Sequence, residues 1–143
     1  MKNFLFIASL NSSIDNQRNT LSIFDCLENI IITVKERPDP QKGMRLPIRF
    51  ELISGWTLES SKKNILTIKH QLIDSSGKIV IESPERNIKI NEGVKRVMHR
   101  ERGSSIHITS DGKYHFKLLQ KEEKKFKEVS RFPLEVVFQV QKR

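Results

Sequence analysis

Residues 48–58 read IRFELISGWTL, and this stretch alternates between two kinds of side chain. The odd-numbered positions include charged residues, whereas the even-numbered positions hold Ile48, Phe50, Leu52, Ser54, Trp56 and Leu58. Because successive side chains of a β-strand point to opposite faces, a period of two predicts a strand with one buried face. The stretch therefore indicates a β-sheet protein, with Ile53 as its one departure from the alternation.

The same alternation recurs along the chain, in the ranges 66–72, 114–118 and 134–140. In each range the apolar side chains share one phase, so each range is predicted to be a strand that turns one face to a core. We predict that the core contains Phe50, Leu52, Trp56, Leu66, Ile68, Tyr114, Phe116, Leu134, Val136 and Phe138.

Turn-forming residues separate these strands, for example Asp74-Ser75-Ser76-Gly77 and Asp111-Gly112. This organisation predicts an all-β protein: an antiparallel β-sandwich of the Greek-key, immunoglobulin-like or C2-like kind, with about seven to nine strands. The whole chain, 1–143, is predicted to be a single domain. The stretch LLQKEEKKFKEV (118–129) has a helical composition but no apolar stripe, and is interpreted as a hairpin tip.

Two short segments, Phe4–Ala8 and Ile30–Val34, are apolar in both phases. We expect them to be central strands covered on both faces, or to form an interface. Phe4–Ala8 fits a first strand better than a secretory signal, because its apolar run is short and no small-residue cleavage site follows. Cys26 is the only cysteine, so no intramolecular disulfide can form, and we expect a cytoplasmic location.

Two phrases place Asp and Gly-Lys between strand-like runs: IDSSGKI (73–79) and SDGKYHF (110–116). The first predicts a hairpin whose glycine supplies a positive φ. In the second, Gly112 lies two residues before Tyr114, a spacing that resembles the tyrosine corner of Greek-key sandwiches. Calcium would need several converging oxygen ligands, and the isolated aspartates do not favour it.

The four histidines do not form a recognisable motif. His70 falls in the apolar phase of its strand and is expected to be a hydrogen-bonded core or rim residue. If the strands on either side of Asp111-Gly112 form a hairpin, His107 and His115 lie opposite each other. Two imidazoles could then bind a metal, but no third ligand is indicated, so a solvated cross-strand pair is the preferred interpretation and no metal or cofactor is expected.

The net charge of +9 falls entirely after residue 60, since residues 1–60 hold seven basic and seven acidic side chains. The densest cluster is KRVMHRER (95–102), in which Lys95, Arg96, Arg100 and Arg102 form a candidate anion-contact patch. A second cluster, KEEKKFKEVSR (121–131), is interrupted by glutamates. Few aromatic side chains lie near either cluster, and this favours a solvated basic surface over a dedicated nucleic-acid groove.

Several stretches resemble the pattern of a family of small uncharacterised bacterial all-β proteins. They are FLFIASLNSSIDNQRNTLSIFDCLENI (4–30), LTIKHQLIDSSGKIV (66–80), GKYHFKL (112–118) and FPLEVVF (132–138). The resemblance covers nearly the whole chain and implies a single β-sandwich. It supplies no catalytic or binding residue, and the strongly basic second half departs from the family's pattern.

The motifs that commonly mark catalytic sites are missing: the chain has no G-x-S-x-G, no phosphate-binding glycine loop, no H-E-x-x-H and no C-x-x-C. We therefore expect a protein that is not an enzyme. The first hypothesis is a binding or assembly module that contacts a protein partner or a copy of itself. The second is nucleic-acid binding through the basic half, and the third is carbohydrate binding. No apolar run approaches a membrane span, so no membrane partner is expected.

Overall fold

The computed structural model describes residues 1–15, 17–18, 20–58 and 65–142. Within these ranges the chain forms twelve strands and no helix, and so contains no helix that could cross a membrane. The strands are β1 (Lys2–Asp15), β2 (Thr20–Cys26), β3 (Asn29–Val34), β4 (Met44–Leu46), β5 (Phe50–Thr57), β6 (Ile65–Ile73), β7 (Ile79–Glu82), β8 (Arg86–Lys89), β9 (Arg96–Gly103), β10 (Ile106–Ile108), β11 (Gly112–Glu122) and β12 (Lys125–Val140). The prediction of an all-β protein is confirmed, whereas the number of strands exceeds the expected seven to nine.

The strands form three sheets. The first sheet has the order β2-β1-β5-β9, and the second has the order β3-β12-β11-β6-β7, with β8 also paired to β6. The third sheet contains only β10 and β4. Among the described strands, the pairing of β12 with β3 is parallel and the other pairs are antiparallel, so the expectation of a purely antiparallel arrangement has one exception.

One apolar cluster joins the sheets. It includes Phe6 from β1, Trp56 from β5, Leu72 from β6, Phe116 from β11 and Phe138 from β12. All ten side chains predicted to form the core are buried. The period-two pattern was sufficient here because every one of these strands turns its apolar phase towards the opposite sheet.

The strand positions agree with the expectation for Phe4–Ala8 but not for Ile30–Val34, and β5 is more fully covered than its alternation predicts. Strand β5 lies between β1 and β9 and is buried on both faces, since Glu51 and Ile53 on its second face are also buried. Ile30–Val34 is not central, because β3 ends the second sheet and Ile31 is 63% exposed. Phe4–Ala8 lies within β1, which has a neighbour on each side, although the Phe4 ring remains partly exposed.

The two Asp–Gly-Lys phrases are turns, as predicted, and they meet in space. Gly77 and Gly112 have positive φ angles of 90° and 133°. The Tyr114 hydroxyl accepts hydrogen bonds from the backbone amides of Thr109 (2.9 Å) and Ser110 (3.0 Å), the bonding expected of a tyrosine corner. The carboxylate of Asp74 accepts a hydrogen bond from the Thr109 hydroxyl (3.1 Å), so the corner is attached to the β6–β7 hairpin.

The hairpin tip predicted within residues 118–129 is confirmed, because β11 and β12 pair up to the Glu122–Lys125 register. The hairpin predicted to bring His107 opposite His115 is wrong. His107 lies on β10, which pairs with β4, whereas His115 lies on β11, which pairs with β6 and β12. Tertiary pairing thus separates two strands that a short turn joins in sequence.

Candidate functional sites

Strand β9 forms one end of the first sheet and contains three of the four predicted anion-contact residues. Arg96, Arg100 and Arg102 occupy even-numbered positions and therefore share one face of the strand. Lys95 lies just before the strand, where its carbonyl accepts a hydrogen bond from the amide of Leu58 (3.0 Å).

Each of these arginines already contacts a group on the first sheet. The guanidinium carbon of Arg96 lies 4.6 Å from the centre of the Phe4 ring, a cation–π contact. Arg100 donates to the Ser12 hydroxyl (3.3 Å), which itself donates to Glu51. Arg102 forms an ion pair with Glu51 (3.5 Å).

These contacts limit what the arginine face can do. Arg100 is half-buried, so an anion would meet chiefly Arg96 and the side chain of Arg102, which is 71% exposed. The carboxylate of Glu51 lies within this face and opposes a second negative charge. The face can therefore attract an anion at its surface, but the contacts with Phe4, Ser12 and Glu51 already engage its three arginines.

The second basic cluster lies elsewhere, on the β11–β12 hairpin, and some of its charged side chains have partners. The ammonium groups of Lys69 and Lys121 lie 4.4 Å and 5.7 Å from the centre of the Phe126 ring. Glu128 accepts hydrogen bonds from Arg131 at 2.7 Å and 3.0 Å, and these bonds lower the pKa of its carboxyl group. Lys124, Lys125 and Lys127 are exposed, so much of the cluster faces solvent, consistent with the solvated interpretation.

The opposite face of β9 points towards the second sheet. There the Glu101 carboxylate lies 3.3 Å from the His99 ring and accepts two hydrogen bonds from the Nε of Arg86 (3.1 Å each) and one from its Nη2 (2.8 Å). Arg86 lies on β8, so this ion pair bridges the two sheets. Burial acts to raise the pKa of Glu101, but the bonds from Arg86 and His99 outweigh it and the pKa is lowered.

His70 from β6 projects into a gap on this face. Phe6, Ser54 and His99 are register neighbours across β1, β5 and β9. Since Ser54 is short, it leaves room between the two rings, and His70 stacks against Phe6 (6.0 Å between centroids) and His99 (6.2 Å).

His70 is 3% exposed, and neither of its ring nitrogens has a hydrogen-bond partner in the described part of the chain. Burial is the main cause of a pKa lowered to about 4, so the ring is neutral at pH 7. The sequence placed His70 in the core correctly; its backbone amide donates to the Ser83 hydroxyl (2.8 Å) and its carbonyl accepts from the Ser83 amide (2.9 Å).

A cavity of about 110 Å³ lies beside His70, between the two larger sheets. Its walls are mainly apolar and come from both sheets: Phe50 and Leu52 from β5, Leu72 from β6, Ile81 from β7 and Phe116 from β11. His70 and Glu101 also line it. The sequence did not predict this site. It includes residues that lie more than 30 positions apart in the chain, and they meet only because β5 pairs with β9 and β6 packs against these two strands.

A different feature marks the free end of the second sheet, where β3 pairs only with β12 among the described strands. The sequence of β3, NIIITV, contains no charged side chain. Ile31, which is 63% exposed, lies opposite Val137, which is 37% exposed. These two side chains form a small exposed apolar patch on the outer face of the sheet.

One side of the β3 backbone has no pairing partner among the residues that the structure describes. The carbonyls of Glu28 and Val34 accept hydrogen bonds from Glu135 and Gln141, at the two ends of the ladder with β12. In a parallel pair, alternate residues point their amide and carbonyl groups to the same neighbour. Even-numbered residues of β3 therefore bond to β12, while Asn29, Ile31 and Thr33 direct their backbone groups outward.

No group of three or more metal-binding side chains occurs within the described ranges. The His99 ring lies 3.3 Å from the Glu101 carboxylate, and the His70 and His99 rings lie nearly parallel, with 6.2 Å between their centroids. No family model, no curated protein and no solved structure matches the chain. Any function of β9, of the cavity or of β3 must therefore be inferred from the geometry described above.

Proposed function

We propose that this protein is a non-catalytic β-sandwich module that binds an extended segment of a protein partner along the free edge of β3. The observation that carries the proposal is an uncharged edge strand with outward backbone groups and an exposed apolar side chain, Ile31, at its centre. An added strand would satisfy the backbone groups of Asn29, Ile31 and Thr33.

The other strands that end the larger sheets carry charges that oppose strand addition. Lysine, arginine and acidic side chains on an edge strand are a common means of preventing edge-to-edge association. Strand β9 has three arginines, β2 has Asp25 and β7 has Glu82. Among these edges of the described chain, β3 alone lacks such protection, which supports a binding role for it.

The partner is expected to be another protein carrying acidic residues beside its added strand. Two copies of this chain would each bring a net charge of +9, which disfavours self-association at low ionic strength. The exposed pair of Ile31 and Val137 would receive apolar side chains from one face of the added segment.

Substitution of Ile31 by Lys tests this proposal, because it places a charge at the centre of the edge without altering the core. The matched control is Ile79→Lys, since Ile79 is similarly exposed, at 48%, on the edge strand β7. The unmodified chain and Ile79→Lys should capture the same partner protein from an extract of the native cells. Capture of that protein by Ile31→Lys should be at least about tenfold lower.

Amide hydrogen exchange gives a second measurement with the captured partner. The amides of Ile31 and Thr33 should exchange rapidly in the free protein and become protected in the complex. Equal capture by Ile31→Lys and Ile79→Lys, or unchanged exchange at Ile31 and Thr33, would refute binding at β3.

A second candidate function is contact with nucleic acid through the arginine face of β9. The alignment of Arg96, Arg100 and Arg102 on one side of a strand favours it. The engagement of these side chains by Phe4, Ser12 and Glu51 ranks it below protein binding. Carbohydrate binding has less support still, because Trp56 is fully buried and offers no platform for a sugar ring.

A further inference from the structure

The free edge of β3 has a defined length, which the hydrogen bonds at its two ends set. Before the strand, the amide of Leu27 donates to the carbonyl of Ala8 in β1 (2.8 Å), so the backbone there belongs to the first sheet. After the strand, the ladder with β12 ends at the bond from the Gln141 amide to the Val34 carbonyl (2.9 Å). An added strand can therefore follow the edge over residues 28–35.

Opposite charges flank this edge. Glu28 directly precedes β3 and Lys35 directly follows it, and both are exposed. Within the described ranges neither side chain forms an ion pair. Between them lies the apolar run Ile30–Ile32. The edge thus has a negative end, an apolar centre and a positive end.

The neighbouring charges preserve this polarity. Glu135 on β12 lies beside the first residue of β3 and adds to the negative end. At the positive end, Lys142 directly follows the last bond of the ladder and offsets Glu36. Arg37 forms an ion pair with Asp111 and so contributes little.

Hydrogen bonding favours an antiparallel partner at this edge. In an antiparallel pair, outward residues such as Asn29, Ile31 and Thr33 each exchange both backbone bonds with the residue directly opposite. This arrangement is slightly more stable per residue than a parallel one. The added segment then runs from the Lys35 end to the Glu28 end, so its first residue lies opposite Lys35 and its eighth opposite Glu28.

Each position of such a segment has a defined neighbour. Because opposite charges directly across two strands stabilise a sheet and like charges destabilise it, an acidic first residue suits Lys35 and a basic eighth residue suits Glu28. The fifth residue lies opposite Ile31 on the outer face. The fourth and sixth lie opposite Ile32 and Ile30, so β-branched apolar residues suit the centre of the segment.

A second copy of β3 does not meet these requirements. Residues directly opposite each other in an antiparallel pair have the same hydrogen-bonding state. The backbone of Glu28 bonds to β12, whereas Lys35 continues the outward phase of Ile31 and Thr33. Glu28 of one copy therefore cannot lie directly opposite Lys35 of another, which favours a different protein as the partner.

We propose that β3 binds an antiparallel segment of about eight residues, with an acidic residue at its N-terminal end, β-branched apolar residues at its centre and a basic residue at its C-terminal end. This inference rests on the proposed function, strand addition at β3, and adds to it the orientation and the chemistry of the partner.

A synthetic peptide tests the orientation. Its sequence is glutamate, two threonines, three valines, one threonine and lysine, with acetyl and amide groups that remove the terminal charges. In an NMR titration of the purified chain, the peptide should shift the amide resonances of Ile31 and Thr33. A nitroxide spin label at the N-terminus of the peptide should broaden the amide of Lys35 more than that of Asn29. Stronger broadening at Asn29 would show parallel addition and overturn the proposal.

Exchange of the two flanking charges tests the chemistry. Glu28→Lys with Lys35→Glu should weaken binding of the peptide by about tenfold, because two attractive pairs become repulsive. The same variant should prefer a second peptide in which glutamate and lysine are exchanged. The control is Lys89→Glu with Glu92→Lys, which makes the same exchange at exposed positions at the other end of the second sheet. It should bind both peptides as the unmodified chain does.

The outcomes separate this inference from the proposed function. Equal affinities of the two peptides for the unmodified chain would overturn the inference and leave strand addition intact. No shift at Ile31 and Thr33 with either peptide would refute strand addition, and the inference with it. A dimer detected by sedimentation and dissociated by Ile31→Lys would identify a second copy as the occupant and would also overturn the inference.

Discussion

Thr109 donates a hydrogen bond to Asp74 across 3.1 Å and thereby joins two turns that lie 35 residues apart in the chain. The backbone amide of the same Thr109 donates to the Tyr114 hydroxyl. Asp74 in turn accepts bonds from the amides of Ser76 and Lys78 within its own turn. The two similar phrases of the sequence are thus parts of a single polar network at one end of the second sheet.

Removal of the Tyr114 hydroxyl should therefore destabilise the fold without disturbing its shape. In Tyr114→Phe the amides of Thr109 and Ser110 and the carbonyl of Ser110 lose their shared partner. Since unsatisfied buried groups are costly, the free energy of unfolding should fall by about 1–3 kcal/mol, measured by urea denaturation. A change below about 0.3 kcal/mol would mean that water replaces the hydroxyl.

The contact between the turns predicts different costs for two glycine substitutions. Both Gly77 and Gly112 have positive φ angles, but a Cβ at Gly77 meets open space, whereas one at Gly112 lies 2.8 Å from the Cβ of Ser75. Gly77→Ala should cost about 1 kcal/mol from backbone strain alone. Gly112→Ala should cost at least about 1 kcal/mol more because of the clash. Equal losses would place the Ser75 turn farther from Gly112.

The core assignment predicts a larger effect for Phe116. This ring is 2% exposed and packs against Phe50 at 5.5 Å between centroids, across the two sheets. Phe116→Ala should lower the free energy of unfolding by roughly 3–5 kcal/mol, measured by thermal or urea denaturation. Phe126→Ala is a control on the exposed hairpin and should cost much less, since that ring packs mainly against lysines. A loss below about 1 kcal/mol for Phe116 would contradict its burial.

The sequence was sufficient for those features that depend on local alternation and turn chemistry. The phase of Phe116 and the tyrosine corner at Tyr114 both follow from residues within a few positions of each other. Pairing between distant strands was not accessible in the same way. The apolar run Ile30–Val34 has the composition of a central strand, yet it lies at an edge because its parallel pairing with β12 leaves its other side free.

The residues around the cavity could not be grouped from the sequence either, because they also come from distant strands. Glu101 lies between two arginines in sequence and was interpreted only as an interruption of the basic cluster 95–102. Strand alternation turns Glu101 to the opposite face, where Arg86 from the second sheet meets it. His70 could be placed in the core from its phase, but its neighbours Phe6 and His99 depend on the register of three strands.

The arginine face of β9 permits a sharper test of nucleic-acid binding. Arg100 is half-buried beside Ser12, so its reversal would confound stability with binding, whereas Arg96 and Arg102 are exposed. The test uses two double variants. One carries Arg96→Glu and Arg102→Glu on β9, and the other carries Lys124→Glu and Lys127→Glu on the exposed β11–β12 hairpin. Binding to duplex DNA should be weak, with a Kd of about 10⁻⁴–10⁻⁶ M, and should fall steeply with salt.

Both double variants should lose similar affinity in titrations at two salt concentrations, because a diffuse positive field depends on net charge and not on position. A loss at least tenfold greater for the β9 variant than for the hairpin variant would instead identify the arginine face as a binding site.

The buried His70 predicts a loss of stability in mild acid. Its pKa is lowered to about 4 in the folded protein from 6.5. Between these values the unfolded chain binds a proton that the folded chain excludes, so stability is full above pH 6.5 and falls as the pH falls towards 4. The contribution lost between pH 7.5 and pH 5 is about 2 kcal/mol.

His70→Leu isolates this term, because the leucine cannot take up a proton. The variant should retain its stability between pH 7.5 and pH 5 better than the unmodified chain, as measured by urea denaturation at each pH. Carboxyl groups with lowered pKa values, among them Glu101 and Asp74, titrate at lower pH and are common to both proteins. Parallel pH profiles for the two proteins would show that His70 is solvated or already protonated when folded, and would place its ring outside the stack between Phe6 and His99.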